Sequence, residues 1–225
     1  MEAQTTNWKN VPNALSALRI VLSIALVVLI GLASKDAPML YLSALIVFIL
    51  ASITDFVDGW WARHFHQVTK LGRILDPFAD KMLICGTFIF LCAIPELAND
   101  PCGYPTGMRP WVAVVIVSRE LIITILRSYM EGQGIDFSAK WSGKIKMGFQ
   151  CVAAIAALLY LTLLPFADKM PCPHILPTVQ WAMIVSVWIT VISTVQSALV
   201  YVHKAITESI KKAAAESDNK SAESK

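Results

Sequence analysis

Six apolar runs recur along the 225-residue chain, at 14–33, 39–54, 82–95, 110–126, 147–167 and 175–202. A helix needs about 20 predominantly apolar residues, within a range of about 17–25, to cross the hydrocarbon core of a bilayer. The second and third runs reach that length only when their Asp-bearing ends are counted in. With those ends included, the pattern predicts an all-α integral membrane protein of six transmembrane helices. Composition agrees, since 56% hydrophobic and 16% charged residues depart from the soluble balance of about 45–50% and about 25%. The 19 Lys and Arg against 16 Asp and Glu leave too little net charge for a nucleic-acid footprint. No basic stripe interleaved with aromatics is present either, so membrane lipids rather than nucleic acid are the expected surroundings.

The first run reads as a span rather than a cleaved leader, because the stretch before it is long and carries little positive charge. Trp8, Lys9 and Asn10 fit a short interfacial segment ahead of it. Placing the connection 60–76 in the cytoplasm makes 34–38, 96–109 and 168–174 external and both termini internal. Only Lys35, Arg109 and Lys169 are then external, and the other 16 of the 19 basic residues fall on the cytoplasmic side, as the positive-inside rule requires. Residues 1–203 form one membrane domain in this reading. Residues 204–225, with Lys204, Lys211 and Lys212, form a charged cytoplasmic tail that extends the last helix and frays into partial disorder.

Cys85, Cys92 and Cys151 lie in or beside apolar runs and read as small core residues, and no C-x-x-C or Cys/His spacing suggests zinc. Cys102 and Cys172 share the external side, where they either pair in a disulfide or remain free thiols. His64 and His66 read as solvated or headgroup-facing. The spans show no internal repeat, which counts against an inverted-repeat transporter. Ala153, Ala154, Ala156 and Ala157 smooth the fifth span for close helix packing, a weak hint of a dimer face.

Ionisable groups inside membrane helices are costly and mark function by default. Asp55 and Asp58 stand at i,i+3 near the end of the second span, and Asp76 and Asp80 at i,i+4 near the start of the third. Each pair occupies one helix face, and the two helices run antiparallel across a short connection, so the faces can meet at one depth. Four such carboxylates without a cation would repel one another. Oxygen-only ligands suit Mg²⁺ or Mn²⁺ rather than zinc, and two divalent ions would balance the charge. A pair of this kind, about 3.5–4 Å apart, can clamp the attacking and leaving oxygens of an in-line phosphoryl displacement.

Asp55, Asp58, Gly59, Ala62, Arg63, Gly72, Asp76 and Asp80 together resemble the D-x2-D-G-x2-A-R-x8-G-x3-D-x3-D signature of the CDP-alcohol phosphotransferases, with every fixed position present. The resemblance implies a six-helix homodimeric membrane enzyme with a cytoplasm-facing site. In that family's scheme Asp55, Asp58 and Asp76 hold one metal, Asp55, Asp76 and Asp80 surround the second, and Asp80 is also the general base. Gly59 and Ala62 would let the cytidine nucleotide approach the backbone. Arg63 would supply charge-assisted hydrogen bonds, Thr69 a hydroxyl, and Gly72 the turn between the metal helices or simply a loop glycine.

Three further segments are similar to the phosphatidylglycerophosphate synthase branch of that family. Pro12, Asn13, Leu15, Ser16 and Arg19 fit its P-N-x-L-T-x2-R segment, with Ser16 keeping the hydroxyl and, like Asn13, placed toward the CDP-diacylglycerol donor. Ser118, Arg119 and Glu120 fit its fourth span, and Gly143, Lys144 and Lys146 its G-K-x-K opening of the fifth. Met147 stands where that branch has Thr. This resemblance implies glycerol 3-phosphate as acceptor, phosphatidylglycerophosphate and CMP as products, and the inner membrane of a bacterium as location. Arg119, buried in a span, is the natural phosphate partner, because a local ion pair with Glu120 is poor when neighbouring helix residues point about 100° apart. Lys144 and Lys146 either join it or serve as interfacial anchors. The rival readings are another acceptor (inositol phosphate, serine or phosphatidylglycerol) and a divalent-cation or proton-coupled transporter, against which the confinement of the acids to one end argues.

Overall fold

The computed structural model describes residues 11–34, 37–65, 70–98, 108–132, 141–169 and 174–223. The described backbone is helical with no strand: α1 (Val11–Leu32), α2 (Pro38–Phe65), α3 (Lys70–Ala93), the single turn α4 (Pro95–Ala98), α5 (Pro110–Gly132), α6 (Trp141–Leu163) and α7 (Ile175–Glu223). A 3₁₀ segment, Leu164–Lys169, follows α6. Prolines punctuate the chain. Pro38, Pro95 and Pro110 each open a helix, where the missing N–H costs nothing, and Pro165 stands where the α-helical ladder of α6 gives way to the tighter turn.

The six long helices close into a ring. α1 packs against α2 and α3, α2 against α6, α6 against α7, α7 against α5, and α5 back against α3, while α3 reaches α6 across the middle. The two carboxylate helices, α2 and α3, touch each other only marginally, so α1 is the wedge that joins them. Its fit to α3 is close at two glycines. A Cβ on Gly86 would lie 3.0 Å from Val27, and one on Gly31 would lie 3.1 Å from Phe90.

The burial pattern is that of a membrane protein. Arg19, Arg119, Lys146, Gln150, Thr190 and Thr194 are buried, while Ile24, Leu50, Ile125, Trp181 and Leu199 face outward. Large apolar side chains outside, together with polar ones buried among an apolar core, depart from the soluble arrangement and suit a lipid surround. Four described segments are long and apolar enough to cross a bilayer: Leu15–Leu32, Pro38–Asp55, Lys146–Ala167 and Ile175–Ile210. The helices α3 and α5 have comparable length, but Asp76, Asp80 and Lys81 in the one and Arg119, Glu120 and Arg127 in the other break their apolar stretches.

Three expectations change. The connection 60–76 is mostly helix, because α2 runs on to Phe65 and α3 begins at Lys70; apolar runs measure the lipid-facing part of a helix, and nothing from 60 to 65 stops one. Gly72 therefore sits in the first turn of α3 rather than in the turn between the helices. Finally, Ala153, Ala154 and Ala157 are wholly buried within the core of this one chain, beside Leu158 and Phe48, so they do not form a dimer face. Residue 203 falls within α7, which continues to Glu223.

Candidate active site

α1 carries the first element of the site. Arg19 is fully buried, and its Nη1 meets Asp55 Oδ1 of α2 at 2.6 Å. Ser23, one turn on, donates its hydroxyl to the Arg19 carbonyl at 2.8 Å, and Ser16, one turn back, is also buried. A guanidinium at this depth is tolerable because a carboxylate stands beside it. Asp55 remains partly open on its other side, with 29% of its side chain exposed.

Asp80 comes from the opposite wall, on α3. Its Oδ1 is buried with no hydrogen-bond partner among the described residues, and the carboxylate lies within electrostatic reach of Asp55, Lys81, Arg19 and Lys146. A buried, unsatisfied carboxylate oxygen within electrostatic reach of a second carboxylate is what a divalent cation would satisfy, so these residues fit an Mg²⁺ or Mn²⁺ ligand set. Asp58 and Asp76 belong to the helical backbones of α2 and α3, but their side chains lie outside the described residues, as do those of Asn13, Gly59, Ala62, Arg63, Gly72 and Lys144. Thr69 lies outside them altogether, as do Trp8 to Asn10, Cys102, Cys172, His66 and the side chain of His64. No group of three metal-ligating side chains occurs among the described residues. Of the three described cysteines, all are free and Cys92 is buried.

One pocket joins Asp80 to the far wall. It is lined by Asp80, Lys81 and Ile84 of α3, Arg119 and Glu120 of α5, and Lys146, Met147 and Gln150 of α6. Here the structure corrects the sequence reading of Arg119. Its Nη1 does contact Glu120, at 3.3 Å, because a long flexible guanidinium arm can curl back although the two Cβ directions diverge. The same group donates from Nη2 to Ser197 Oγ at 2.5 Å and lies over the Tyr201 ring at 5.9 Å. Both partners belong to α7, one helical turn apart. Arg119 Nε is buried without a hydrogen-bond partner among the described residues.

Glu120 is a hub that sequence reasoning missed. Its Oε1 accepts from Lys146 Nζ and lies 3.5 Å from Gln150 Nε2. Gln150 sits four residues after Lys146, on the same face of α6, and that spacing of two polar residues in an apolar run was a usable signal. Ser197 and Tyr201 lay beyond the segments that carry the resemblance, and an isolated Ser and Tyr in an apolar helix give none. Arg19 was visible as a motif residue. Its partner was legible too, since Arg19 near the start of one span and Asp55 near the end of the next share a depth.

The family profile for CDP-alcohol phosphatidyltransferase matches residues 9–196, which take in both walls of the pocket. This chain belongs to the CDP-alcohol phosphatidyltransferase family. Similar proteins named CDP-diacylglycerol–glycerol-3-phosphate 3-phosphatidyltransferase come from several bacteria. That of Bacillus subtilis (strain 168) is 34% identical over 210 residues, covering 87% of this chain and 94% of the relative. That of Salmonella typhimurium (strain LT2) is 37% identical over 153 residues, covering 67% and 77%. That of Rickettsia bellii (strain RML369-C) is 34% identical over 145 residues, covering 64% and 72%. As a CDP-alcohol phosphatidyltransferase family member, the chain pairs Arg19 with Asp55 and brings Asp80 into one pocket with Arg119, Glu120 and Lys146.

Proposed function

We propose that this protein transfers the phosphatidyl group of CDP-diacylglycerol to sn-glycerol 3-phosphate, forming phosphatidylglycerophosphate and releasing CMP. The names of the relatives support the acceptor. The observation that carries the reading is the pocket itself, which sets the unsatisfied carboxylate of Asp80 against the cations of Arg119 and Lys146. A small molecule with a nucleophilic hydroxyl at one end and a phosphate at the other matches that arrangement.

The residues divide the work. Asp55, Asp58, Asp76 and Asp80 would hold two Mg²⁺ or Mn²⁺ ions, which when bound neutralise the donor diphosphate. Arg19 holds Asp55 in place. Gly59, Ala62, Arg63, Thr69 and Gly72, with Asn13 and Ser16 of α1, take the CDP-diacylglycerol. Asp80 accepts the proton of the C1 hydroxyl as that oxygen bonds to the lipid-bearing phosphorus. The bond from that phosphorus to the CMP oxygen breaks, and CMP leaves. Arg119, Lys146 and Lys144 take the acceptor phosphate with charge-assisted hydrogen bonds.

In the same proposal all six long helices span the bacterial inner membrane, with the site and both termini cytoplasmic. Outward-facing Phe78, Ile89 and Phe90 on α3 and Val114, Ile122 and Ile125 on α5 support spans for the two helices that carry the most charge. The protein acts as a homodimer whose membrane domain covers 1–203, with 204–225 as its tail. Cys102 and Cys172 face the outside, paired or free.

CMP release from CDP-diacylglycerol by the purified protein with Mg²⁺ tests the reading. Glycerol 3-phosphate should support turnover, and serine, inositol phosphate and phosphatidylglycerol should not. Turnover with an uncharged alcohol in preference to glycerol 3-phosphate would remove the anionic-acceptor assignment while leaving the chemistry in place.

A further inference from the structure

Glu120 poses a problem for a site that binds a phosphate. The pocket presents three cations, Lys81, Arg119 and Lys146, and a second carboxylate beside them weakens the attraction of any anion. A site meant only to hold a phosphate would be better served by a neutral residue at 120. The carboxylate nevertheless lines the pocket, with 16% of its side chain exposed, in contact with Lys146 of α6 and in the same pocket as Asp80 of α3.

Its two oxygens are used unequally. Oε1 gathers Lys146 Nζ, Arg119 Nη1 at 3.3 Å and Gln150 Nε2 at 3.5 Å. Oε2 has a single long contact among the described residues, Arg119 Nη1 at 3.4 Å. A carboxylate offers about four lone-pair sites, so among the described residues Oε2 retains acceptor capacity that a bound acceptor can use. Gln150 is no substitute, because it is 2% exposed and a neutral amide is the weaker acceptor.

We infer that Glu120 is a specificity-determining residue that accepts a hydrogen bond from the secondary hydroxyl of the acceptor, while the cations it holds take the phosphate. The inference rests on the acceptor reading above. In glycerol 3-phosphate the C1 hydroxyl reacts, the phosphate hangs from C3, and the C2 hydroxyl lies between. With C1 at Asp80 and the phosphate at Arg119 and Lys146, the hydrogen-bond acceptor that lines the same pocket and touches both cations is Glu120. One carboxylate thus positions Arg119 and Lys146 through Oε1 and reads the hydroxyl through Oε2. An acceptor that brings a phosphate but no vicinal hydroxyl meets the repulsion of Glu120 without the compensating hydrogen bond, which is discrimination by an unpaired group as much as by an attractive one.

The test compares glycerol 3-phosphate with propane-1,3-diol monophosphate, which lacks only the secondary hydroxyl, in CMP-release assays of the full-length protein with CDP-diacylglycerol and Mg²⁺. The wild type should favour glycerol 3-phosphate in kcat/KM by on the order of 10–100-fold, as for a lost hydrogen bond to a charged group. In Glu120→Ala that ratio should fall to within about threefold of unity, with Glu120→Gln between the two, since its amide oxygen accepts more weakly. A wild type that uses the two acceptors equally overturns the inference without any variant. A Glu120→Ala protein that loses activity toward both in equal proportion overturns it as well, leaving Glu120 as a counterion for Lys146. Absence of CMP release by the wild type with glycerol 3-phosphate overturns the acceptor reading itself, and this inference with it.

Discussion

The two ends of the polar interior are built in opposite ways. At the proposed donor end the carboxylates come from one continuous stretch, 55–80, carried on the consecutive helices α2 and α3. At the proposed acceptor end Arg119 and Glu120, Lys146 and Gln150, and Ser197 and Tyr201 come from three helices, α5, α6 and α7, and meet only in the folded ring. The proposed donor end is thus compact in sequence, whereas the proposed acceptor end draws on residues spread from 119 to 201. A local motif can persist while the acceptor wall changes around it, which suits a family whose shared feature is the CDP-linked donor.

The largest expected effect lies where the two ends share a residue. In the proposed roles Asp80→Asn removes both the base for the acceptor hydroxyl and a carboxylate oxygen for the metal, so kcat for CMP release should fall by about 10²–10⁴-fold or more. Folding should survive, because the amide replaces a group whose buried oxygen has no protein hydrogen bond among the described residues. A purified Asp80→Asn protein with near wild-type turnover would remove this residue from the chemistry.

Arg19→Met comes next and belongs to the donor end alone. It deletes the cation 2.6 Å from Asp55 while keeping a buried apolar stem. The lost charge-assisted hydrogen bond should lower stability by roughly 2–3 kcal/mol, read as a lower unfolding temperature in detergent. The Mg²⁺ concentration for half-maximal activity should rise, because Asp55 loses its orientation. The acceptor KM should change little. An equal rise in the acceptor KM would show that the two ends are not independent.

Arg119→Ala is the mirror experiment. It should lower kcat/KM for glycerol 3-phosphate by about 10–100-fold, through loss of a charge-assisted contact, and leave the KM for CDP-diacylglycerol nearly unchanged. Lys144→Ala should act in the same direction and more weakly, as a point charge rather than a fork. Acceptor kinetics untouched by Arg119→Ala would mean that the guanidinium only ties α5 to α7.

What could be seen in the sequence follows from the same contrast. The apolar runs carried the helix count, and the spacing of Asp55, Asp58, Asp76 and Asp80 carried the donor end, because both are periodic within a helix or two. Helix length was underestimated where α2 and α3 leave the apolar zone, since hydropathy measures lipid exposure and not backbone conformation. The role of α1 as the wedge between α2 and α3 was hidden, as helix order in space is set by side-chain fit such as Gly86 on Val27. The Arg119 and Glu120 contact was rejected on backbone direction alone, which overlooks the reach of a guanidinium. Ser197 and Tyr201 could not have been chosen among the other polar residues of α7 without knowing which face meets α5.

The smallest effect separates positioning from binding at the acceptor end. Ser197 is buried, and its Oγ accepts from Arg119 Nη2 at 2.5 Å, so it can influence the acceptor only through Arg119. Ser197→Ala should raise the acceptor KM by about 3–10-fold, less than the full value of a charged hydrogen bond, because Glu120 and the Tyr201 ring still restrain the guanidinium. The pair is coupled, so the two substitutions should not be additive. In an Arg119→Ala background Ser197→Ala should have almost no further effect, since there is no guanidinium left to aim. A Ser197→Ala effect that persists undiminished in that background would show that Ser197 acts on the acceptor by another route. The acceptor wall would then extend onto α7 independently of Arg119.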